Sequence, residues 1–253
     1  MNINTANIGT GFLFLSMLVF AACGGGGGDG GAAPPTLQTV AFSRDVGGQF
    51  DLFLVKEDGT GVMPLATSVG DEFFVGATGG RVIFSRTVGG TQDDLYSINA
   101  DGTGLVPLAT SPDNEFFGGV TAGGRVIFSR LVGGTQNDLY SINADGTGLV
   151  PLAASSENEF FQSVTPGGRV IFSRSVGGSQ DDLYSINADG SGLVPLAASA
   201  EREFFESVTP GGRVIFRRLV DGRQDDLYSI NIDGTGLVPL ATAADNESFE
   251  GVF

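Results

Sequence analysis

The 253-residue chain has no histidine, no tryptophan and only one cysteine. The missing histidine excludes Ser-His-Asp and Cys-His catalysis, histidine-ligated zinc and the commonest general base. Basic residues are also scarce, with 13 Lys and Arg against 29 Asp and Glu and a formal net charge of −16. Nucleic acid and bare anionic lipid are therefore poor electrostatic partners. The single cysteine, Cys23, cannot form an intramolecular disulfide bond.

The chain also lacks apolar residues at helical spacing over any long window, and it is built instead from repeats. The segment that begins RVIFSR at Arg81 returns at Arg125, Arg169 and Arg213, always 44 residues further on. A rougher copy begins at Thr39. A fixed period of roughly 40–45 residues is typical of a repeat architecture.

One repeat unit predicts four short strands, at residues 81–86, 94–99, 105–109 and 115–121, because these runs are rich in β-branched and aromatic residues. An Asp-Gly turn signal separates the second run from the third. Pro107 suits an edge strand, since proline has no N–H to donate to a neighbouring strand. The pattern predicts an all-β, five-bladed β-propeller of four-stranded antiparallel blades.

The two ends of the repeat array predict how the ring closes. The first copy lacks the strand that precedes RVIFSR elsewhere, and the segment Glu247–Phe253 supplies such a strand without a following RVIFSR. Pairing the C-terminal strand with the N-terminal blade would complete the fifth blade and leave no open edge. The alternative is an open solenoid, which should carry distinct polar caps that are not seen in this sequence.

Three segments are expected. Residues 1–22 carry no charge and contain the apolar run Gly11–Ala22, which is shorter than the ~20 residues of a membrane span and is typical of a signal peptide. Residues 23–37 form a glycine-rich tether with a reach of roughly 20 Å. Residues 38–253 form the propeller domain.

The sequence Phe20-Ala21-Ala22-Cys23 resembles the lipobox of bacterial lipoprotein signals, with Phe20 in place of the usual leucine. A second departure is the absence of Lys and Arg from residues 1–7. The resemblance implies cleavage before Cys23 and acylation of its thiol, and Gly24 in the next position implies the outer membrane, facing the periplasm or the cell surface. Ordinary secretion and a buried lone cysteine are the alternatives.

The run DLYSINADGTGLVPLA resembles the TolB-type, WD40-like propeller repeat. Two departures are the Thr-Ala/Pro-Gly-Gly turns, such as Thr121–Gly124, and the presence of five repeats where that family usually has six. The resemblance implies protein–protein contact in the periplasm. It covers residues 95–109, 139–153, 183–197 and 227–241, and more weakly residues 52–66.

The main candidate ligand site is a Gln-Asp-Asp motif before the second strand of each repeat. Its clustered carboxylate and amide oxygens could bind Ca²⁺ or sugar hydroxyls, whereas the structural interpretation is turn capping. The motif consists of Gln92, Asp93, Asp94, Gln136, Asn137, Asp138, Gln180, Asp181, Asp182, Gln224, Asp225 and Asp226.

Other recurring groups are expected to be structural. The Asn99–Gly102 segment and its copies read as hairpin turns. An arginine such as Arg86 and a glutamate such as Glu72 recur once per repeat, which predicts ion pairs between blades. Both rings of pairs such as Phe73-Phe74 are expected in the core. The last repeat departs from the others with Arg217-Arg218 and Arg223, a local basic cluster that could mark a contact face.

The sequence therefore predicts a monomeric, non-catalytic envelope lipoprotein whose propeller binds an envelope protein. One alternative is a lectin-like glycan binder with one site per blade. A carboxylate-based glycosidase is another, disfavoured because near-identical repeats supply the same groups several times, whereas catalysis needs carboxyl groups with different pKa values. No cofactor is expected, with Ca²⁺ the one candidate.

Overall fold

The computed structural model describes residues 38–178, 180–243 and 245–252. Every regular element in this part of the chain is a β-strand, which confirms the all-β prediction. Accordingly, the described residues include no apolar helix of membrane-spanning length. The predicted signal peptide 1–22 and the tether 23–37, with Cys23, lie outside the described residues.

The nineteen strands form five antiparallel sheets, each built from consecutive strands. The first sheet contains β1 (Thr39–Asp45), β2 (Phe50–Lys56) and β3 (Met63–Ala66). The second contains β4 (Glu72–Thr78), β5 (Arg81–Val88), β6 (Gln92–Asn99) and β7 (Val106–Ala109). The third contains β8 (Glu115–Val120), β9 (Arg125–Val132), β10 (Gln136–Asn143) and β11 (Val150–Ala153). The fourth contains β12 (Asn158–Val164), β13 (Arg169–Val176), β14 (Gln180–Asn187) and β15 (Val194–Ala197). The fifth contains β16 (Arg202–Val208), β17 (Arg213–Val220), β18 (Gln224–Asn231) and β19 (Val238–Ala241).

Turn chemistry sets the strand boundaries. After β6, the backbone passes through Gly102 with a φ of 83°, a left-handed conformation that glycine adopts without steric cost. The Asp101 carboxylate accepts hydrogen bonds from the Thr103 backbone N–H (2.9 Å) and hydroxyl (2.6 Å), which lowers the pKa of this exposed carboxyl group. The predicted hairpin turn is confirmed. Pro107 lies in the edge strand β7, as predicted.

The core lies between adjacent sheets. In one repeated cluster, Ile83, Leu95 and Leu108 of the second sheet pack on apolar side chains of the third, among them Val126 and Phe128. Each such large side chain contributes roughly 1.5–3 kcal/mol when it is fully buried. Four clusters of this kind join the five sheets in series. The first strands β4, β8, β12 and β16 lie side by side, so that the sheets radiate from one margin.

The two ends of the array are open among the described residues. The first sheet has three strands, and residues 245–252 form none. Val40 in β1 is 40% exposed, although its counterpart Val82 is 2% exposed. Leu240 in β19 is 50% exposed, although its counterpart Leu108 is 6% exposed. Five antiparallel sheets are consistent with a five-bladed propeller, and closure of the ring stays a prediction.

Candidate functional site

The Gln-Asp-Asp motifs lie at one edge of the sheets, where they form the first residues of β6, β10, β14 and β18. The motif was expected in the loop before the strand, but the strand begins two residues earlier than predicted, because Gln92 and Asp93 pair with Val88 and Thr87 of β5. The inner strand β4 begins at the same edge, since Glu72 pairs with Arg86. This shared edge is called the motif edge below.

Two of the three motif residues are engaged inside the sheet. The Gln92 side-chain amide donates to Asp94 Oδ1 (2.8 Å) and to the Ser111 carbonyl oxygen. The other Asp94 oxygen accepts a hydrogen bond from the Tyr96 hydroxyl at 3.3 Å. The same contacts recur in the third, fourth and fifth sheets. The third motif residue is buried in each copy, namely Asp94, Asp138, Asp182 and Asp226.

The middle motif residue is half-buried and ties one sheet to the start of the next. The backbone N–H of Asp93 donates to Asn114 Oδ1 (3.0 Å), and the Asp93 carboxylate accepts from the Thr87 hydroxyl (2.8 Å). The backbone N–H of Asn137 donates to Asn158 Oδ1 at 2.8 Å in the same way. The middle positions are more exposed than the buried third residue of each motif: Asp93, Asn137, Asp181 and Asp225.

The recurring arginines and glutamates do form ion pairs, but not between blades. Glu115 of β8 and Arg130 of β9 lie opposite each other in one sheet and are joined by a single Oε1–Nε contact of 3.0 Å. The prediction of pairs between blades was wrong, because the glutamate opens the inner strand next to the arginine strand of its own sheet. The same contact, also 3.0 Å, joins Glu72 to Arg86, Glu159 to Arg174 and Glu203 to Arg218.

Each of these glutamates is fully buried, and among the described residues only one of its two carboxylate oxygens accepts hydrogen bonds. In Glu115, Oε1 accepts from Arg130 and Ser111, whereas Oε2 is buried without a hydrogen-bond partner among the described residues. Burial raises the pKa of Glu115 and that of Glu203, because it disfavours the charged carboxylate. The arginines cover the core at this edge, as where Arg130 lies 4.9 Å from the centre of the Tyr140 ring.

The paired phenylalanines divide between core and surface. Phe117 packs against the second sheet so closely that a Cβ at Gly76 would lie 2.7 Å from its ring. The preceding residue, Phe116, points the other way and is 44% exposed, while Phe73 and Phe160 are each 40% exposed. The prediction that both rings lie in the core was wrong for these first members, because neighbouring sheets leave the motif edge of the inner strand uncovered.

A second row of arginines, at the start of the second strand of each four-stranded sheet, has a structural role that the sequence did not predict. Arg81 at the start of β5 donates to Ser97 Oγ (3.0 Å), Asn99 Oδ1 (2.7 Å) and the Gly104 carbonyl oxygen (2.6 Å). It thereby holds the turn that joins β6 to β7, and Arg125, Arg169 and Arg213 act in the same way. The signal in the sequence is the constant spacing of Arg, Ser and Asn in every complete repeat.

The basic cluster of the last repeat is largely neutralised. Arg217 contacts Glu206 and also Asp225 (3.1 Å), while Arg218 pairs with Glu203. Arg223 is exposed. Arg217 and Glu206 line a cavity of about 460 Å³ between the fourth and fifth sheets.

No group of three metal-binding side chains converges within residues 38–178, 180–243 and 245–252. The middle motif residues lie in different sheets, and the buried aspartates already accept hydrogen bonds from Gln and Tyr side chains. The geometry therefore supplies separate polar contacts along the motif edge instead of one coordination sphere.

Antiparallel sheets packed face to face, with their first strands side by side, define the class: a β-propeller type of repeat fold. No model of a known protein family matches the sequence, and no curated protein matches it. Dipeptidyl peptidase 4 from Porphyromonas gingivalis is similar in structure over 75% of this chain and 29% of that protein (TM-score 0.60, 10% identity). An oligogalacturonate lyase from Vibrio parahaemolyticus is similar over 80% of this chain and 61% of its own (TM-score 0.53, 11% identity).

TolB from Acinetobacter baumannii aligns over 79% of this chain and 50% of its own length, with a TM-score of 0.46 and 13% identity. The similar solved structures are thus TolB-type and related β-propeller proteins. The chain spans half of that TolB and less than a third of the peptidase. At sequence identities this low, the similarity applies to the fold alone.

Proposed function

We propose that the chain is a non-catalytic, lipid-anchored β-propeller protein of the bacterial envelope, and that it binds a protein partner through its motif edge. The observation that carries the proposal is the row of exposed rings Phe73, Phe116 and Phe160 at one edge of successive sheets. Aromatic side chains are enriched at the centres of protein interfaces, where they bury large areas at low entropic cost.

Charge indicates the kind of partner. The exposed rings share the motif edge with polar middle residues such as Asp93 and Asn137, in a chain with a formal net charge of −16. A partner with a basic rim around an apolar centre would complement this edge, and charge complementarity would speed the encounter. The expected partner is therefore an envelope protein with a basic contact face.

The buried carboxylates support a binding role over a catalytic one. Glu115 is held by Arg130 and Ser111, and Asp94 by Gln92 and Tyr96, so these groups stabilise the sheets. Hydrolysis of a glycosidic bond needs two carboxyl groups with different roles flanking one substrate. Here near-identical groups recur in successive sheets, which suits repeated structure and binding.

We also propose that the ring is closed in solution by residues 247–252. In the sheet register, Glu247 corresponds to Glu72 and Arg44 to Arg86, so closure would add a fifth ion pair to the four observed. Closure would also bring the exposed Leu240 against Val40. The side chains at the equivalent positions, such as Leu108 and Val126, are buried against each other at the internal interfaces. Burial of this apolar surface would supply the free energy that favours ring closure.

Affinity capture with a matched control tests the binding proposal. The full chain, tagged after Phe253 through a long linker, is used to recover partners from envelope extract, and the recovered protein is then purified and titrated. A triple Phe-to-Ser variant at positions 73, 116 and 160 should abolish binding. A triple Leu-to-Ser variant at positions 105, 149 and 193 should not, because those leucines, similarly exposed, precede the edge strands at the opposite end of the sheets.

Equal loss of binding in both variants would show that the motif edge is not the contact surface. Failure to recover any protein above the background of an untagged strain would count against the adaptor role itself.

A further inference from the structure

The cleft between the fourth and fifth sheets contains a cavity of about 460 Å³, within the range of roughly 300–1,000 Å³ that small-molecule sites occupy. Its walls combine aromatic rings with an amide, a hydroxyl, carboxylates and a guanidinium group. They are formed by Phe160, Gln162, Ser173, Asp181, Glu203, Phe204, Phe205, Glu206 and Arg217.

This cleft departs from the repeat at the positions that face it. The inner strands have an irregular register at one residue, which is Gln162 in β12 and Glu206 in β16. The corresponding residues in the second and third sheets are Val75 and Gly118, which offer no polar side chain. Long polar groups on both walls therefore distinguish the cleft between the fourth and fifth sheets.

The charges in the walls compensate one another. Arg217 contacts Glu206 and Asp225, and Arg202 contacts Asp181 at 2.7 Å. The carboxylate of Glu203 is paired with an arginine of its own sheet. A free cation or anion would have to displace these pairs, so the cleft favours a neutral ligand.

Hydrogen-bonding capacity remains in the walls. Glu203 is 1% exposed, and its Oε2 atom has no hydrogen-bond partner in the part of the chain that the structure describes. The same atom is unpartnered in the equivalent glutamates, but Glu203 is the one that lines this cavity. The Gln162 amide donates to Ser173 Oγ at 3.0 Å, while its carbonyl oxygen accepts nothing from the described residues. The buried Glu203 Oε2 atom therefore lacks a donor among the described residues, and the Gln162 carbonyl oxygen is free to accept a hydrogen bond from a ligand.

We propose that this cleft binds a neutral saccharide. Sugar hydroxyl groups donate to Glu203 Oε2 and to the Gln162 carbonyl oxygen, and the C–H face of the sugar ring packs on the exposed face of Phe160. This single site shares Phe160 with the proposed protein-binding edge. It differs from one equivalent site per blade, because the second and third sheets carry Val75 and Gly118 at the positions where Gln162 and Glu206 line this cleft.

Saturation-transfer NMR on the full chain tests the proposal with D-glucose, D-galactose, N-acetyl-D-glucosamine and cellobiose as probes. Transfer to at least one probe is expected. Phe160→Ala should reduce its affinity roughly five- to tenfold. Phe116→Ala is the matched control, because Phe116 occupies the same position one sheet earlier, and it should leave the affinity unchanged.

Absence of transfer to all four sugars would overturn the proposal. Equal losses in the two Phe variants would overturn it as well, since the site would then recur in other clefts. If Phe160→Ala fails to fold, Gln162→Gly takes its place, because it installs the residue that the third sheet carries at Gly118. That variant should also weaken binding, and unchanged affinity would contradict the assigned contact.

Discussion

Replacing equivalent leucines inside and at the end of the array measures whether the ring closes. Leu152 is 7% exposed at an internal interface, so Leu152→Ala should cost roughly 2–5 kcal/mol of the free energy of unfolding, from lost transfer energy and a residual cavity. Leu240 is its counterpart in the fifth sheet and is 50% exposed in the open array. In an open ring, Leu240→Ala would leave no cavity and should cost about 1 kcal/mol.

If residues 247–252 close the ring, Leu240→Ala should also leave a cavity and should cost roughly 2–5 kcal/mol, as Leu152→Ala does. Urea unfolding of the full chain in a Cys23→Ser background provides the measurement, with equal m-values as the check that the folded states are equally compact. A cost near 1 kcal/mol for Leu240→Ala, beside a several-fold larger cost for Leu152→Ala, would refute closure.

A disulfide provides an independent measurement of the same arrangement. In the second sheet Phe73 lies opposite Ser85, and the corresponding residues of the closing blade are Ser248 and Ser43. Opposed residues in antiparallel strands lie within the Cα separation that a disulfide tolerates. A Ser43→Cys, Ser248→Cys double variant should therefore oxidise within one chain, whereas crosslinked dimers would indicate that the ends meet between two copies.

The buried ion pairs lead to two further predictions. Arg130→Ala should lower the free energy of unfolding by about 3 kcal/mol, because it leaves the Glu115 carboxylate buried without its charge partner. The control is Arg202→Ala, which breaks an exposed ion pair and should cost at most about 1 kcal/mol. A similar cost for both in urea unfolding would show that solvent screens the buried pair. Burial raises the pKa of Glu115 in the folded state, so this group stabilises the fold at pH values below its unfolded pKa and loses that contribution as pH rises through the folded pKa. The difference in unfolding free energy between the native chain and Glu115→Gln should therefore favour the native chain more at acidic than at neutral pH; a difference that stays flat or changes the other way would contradict a raised pKa.

The sequence by itself determined the repeats and their local structure. β-branched and aromatic runs set the strands, and Asp101-Gly102 set the hairpin because a tight turn needs a left-handed residue. Pro107 marked the edge strand for an equally local reason, its missing N–H. These features depend on neighbours in the chain, so one repeat is enough to read them.

Only the tertiary structure decided which side chains meet. Glu115 pairs with Arg130 inside a sheet because of the order of the strands, which a single repeat does not reveal. Phe116 is exposed to solvent while Phe117 is packed, because the neighbouring sheet covers only one of the two rings. The cavity at Gln162 and Glu206 likewise depends on two sheets facing each other. Local chemistry fixes a strand and its turn, whereas the curvature that places one repeat against the next is a property of the whole array.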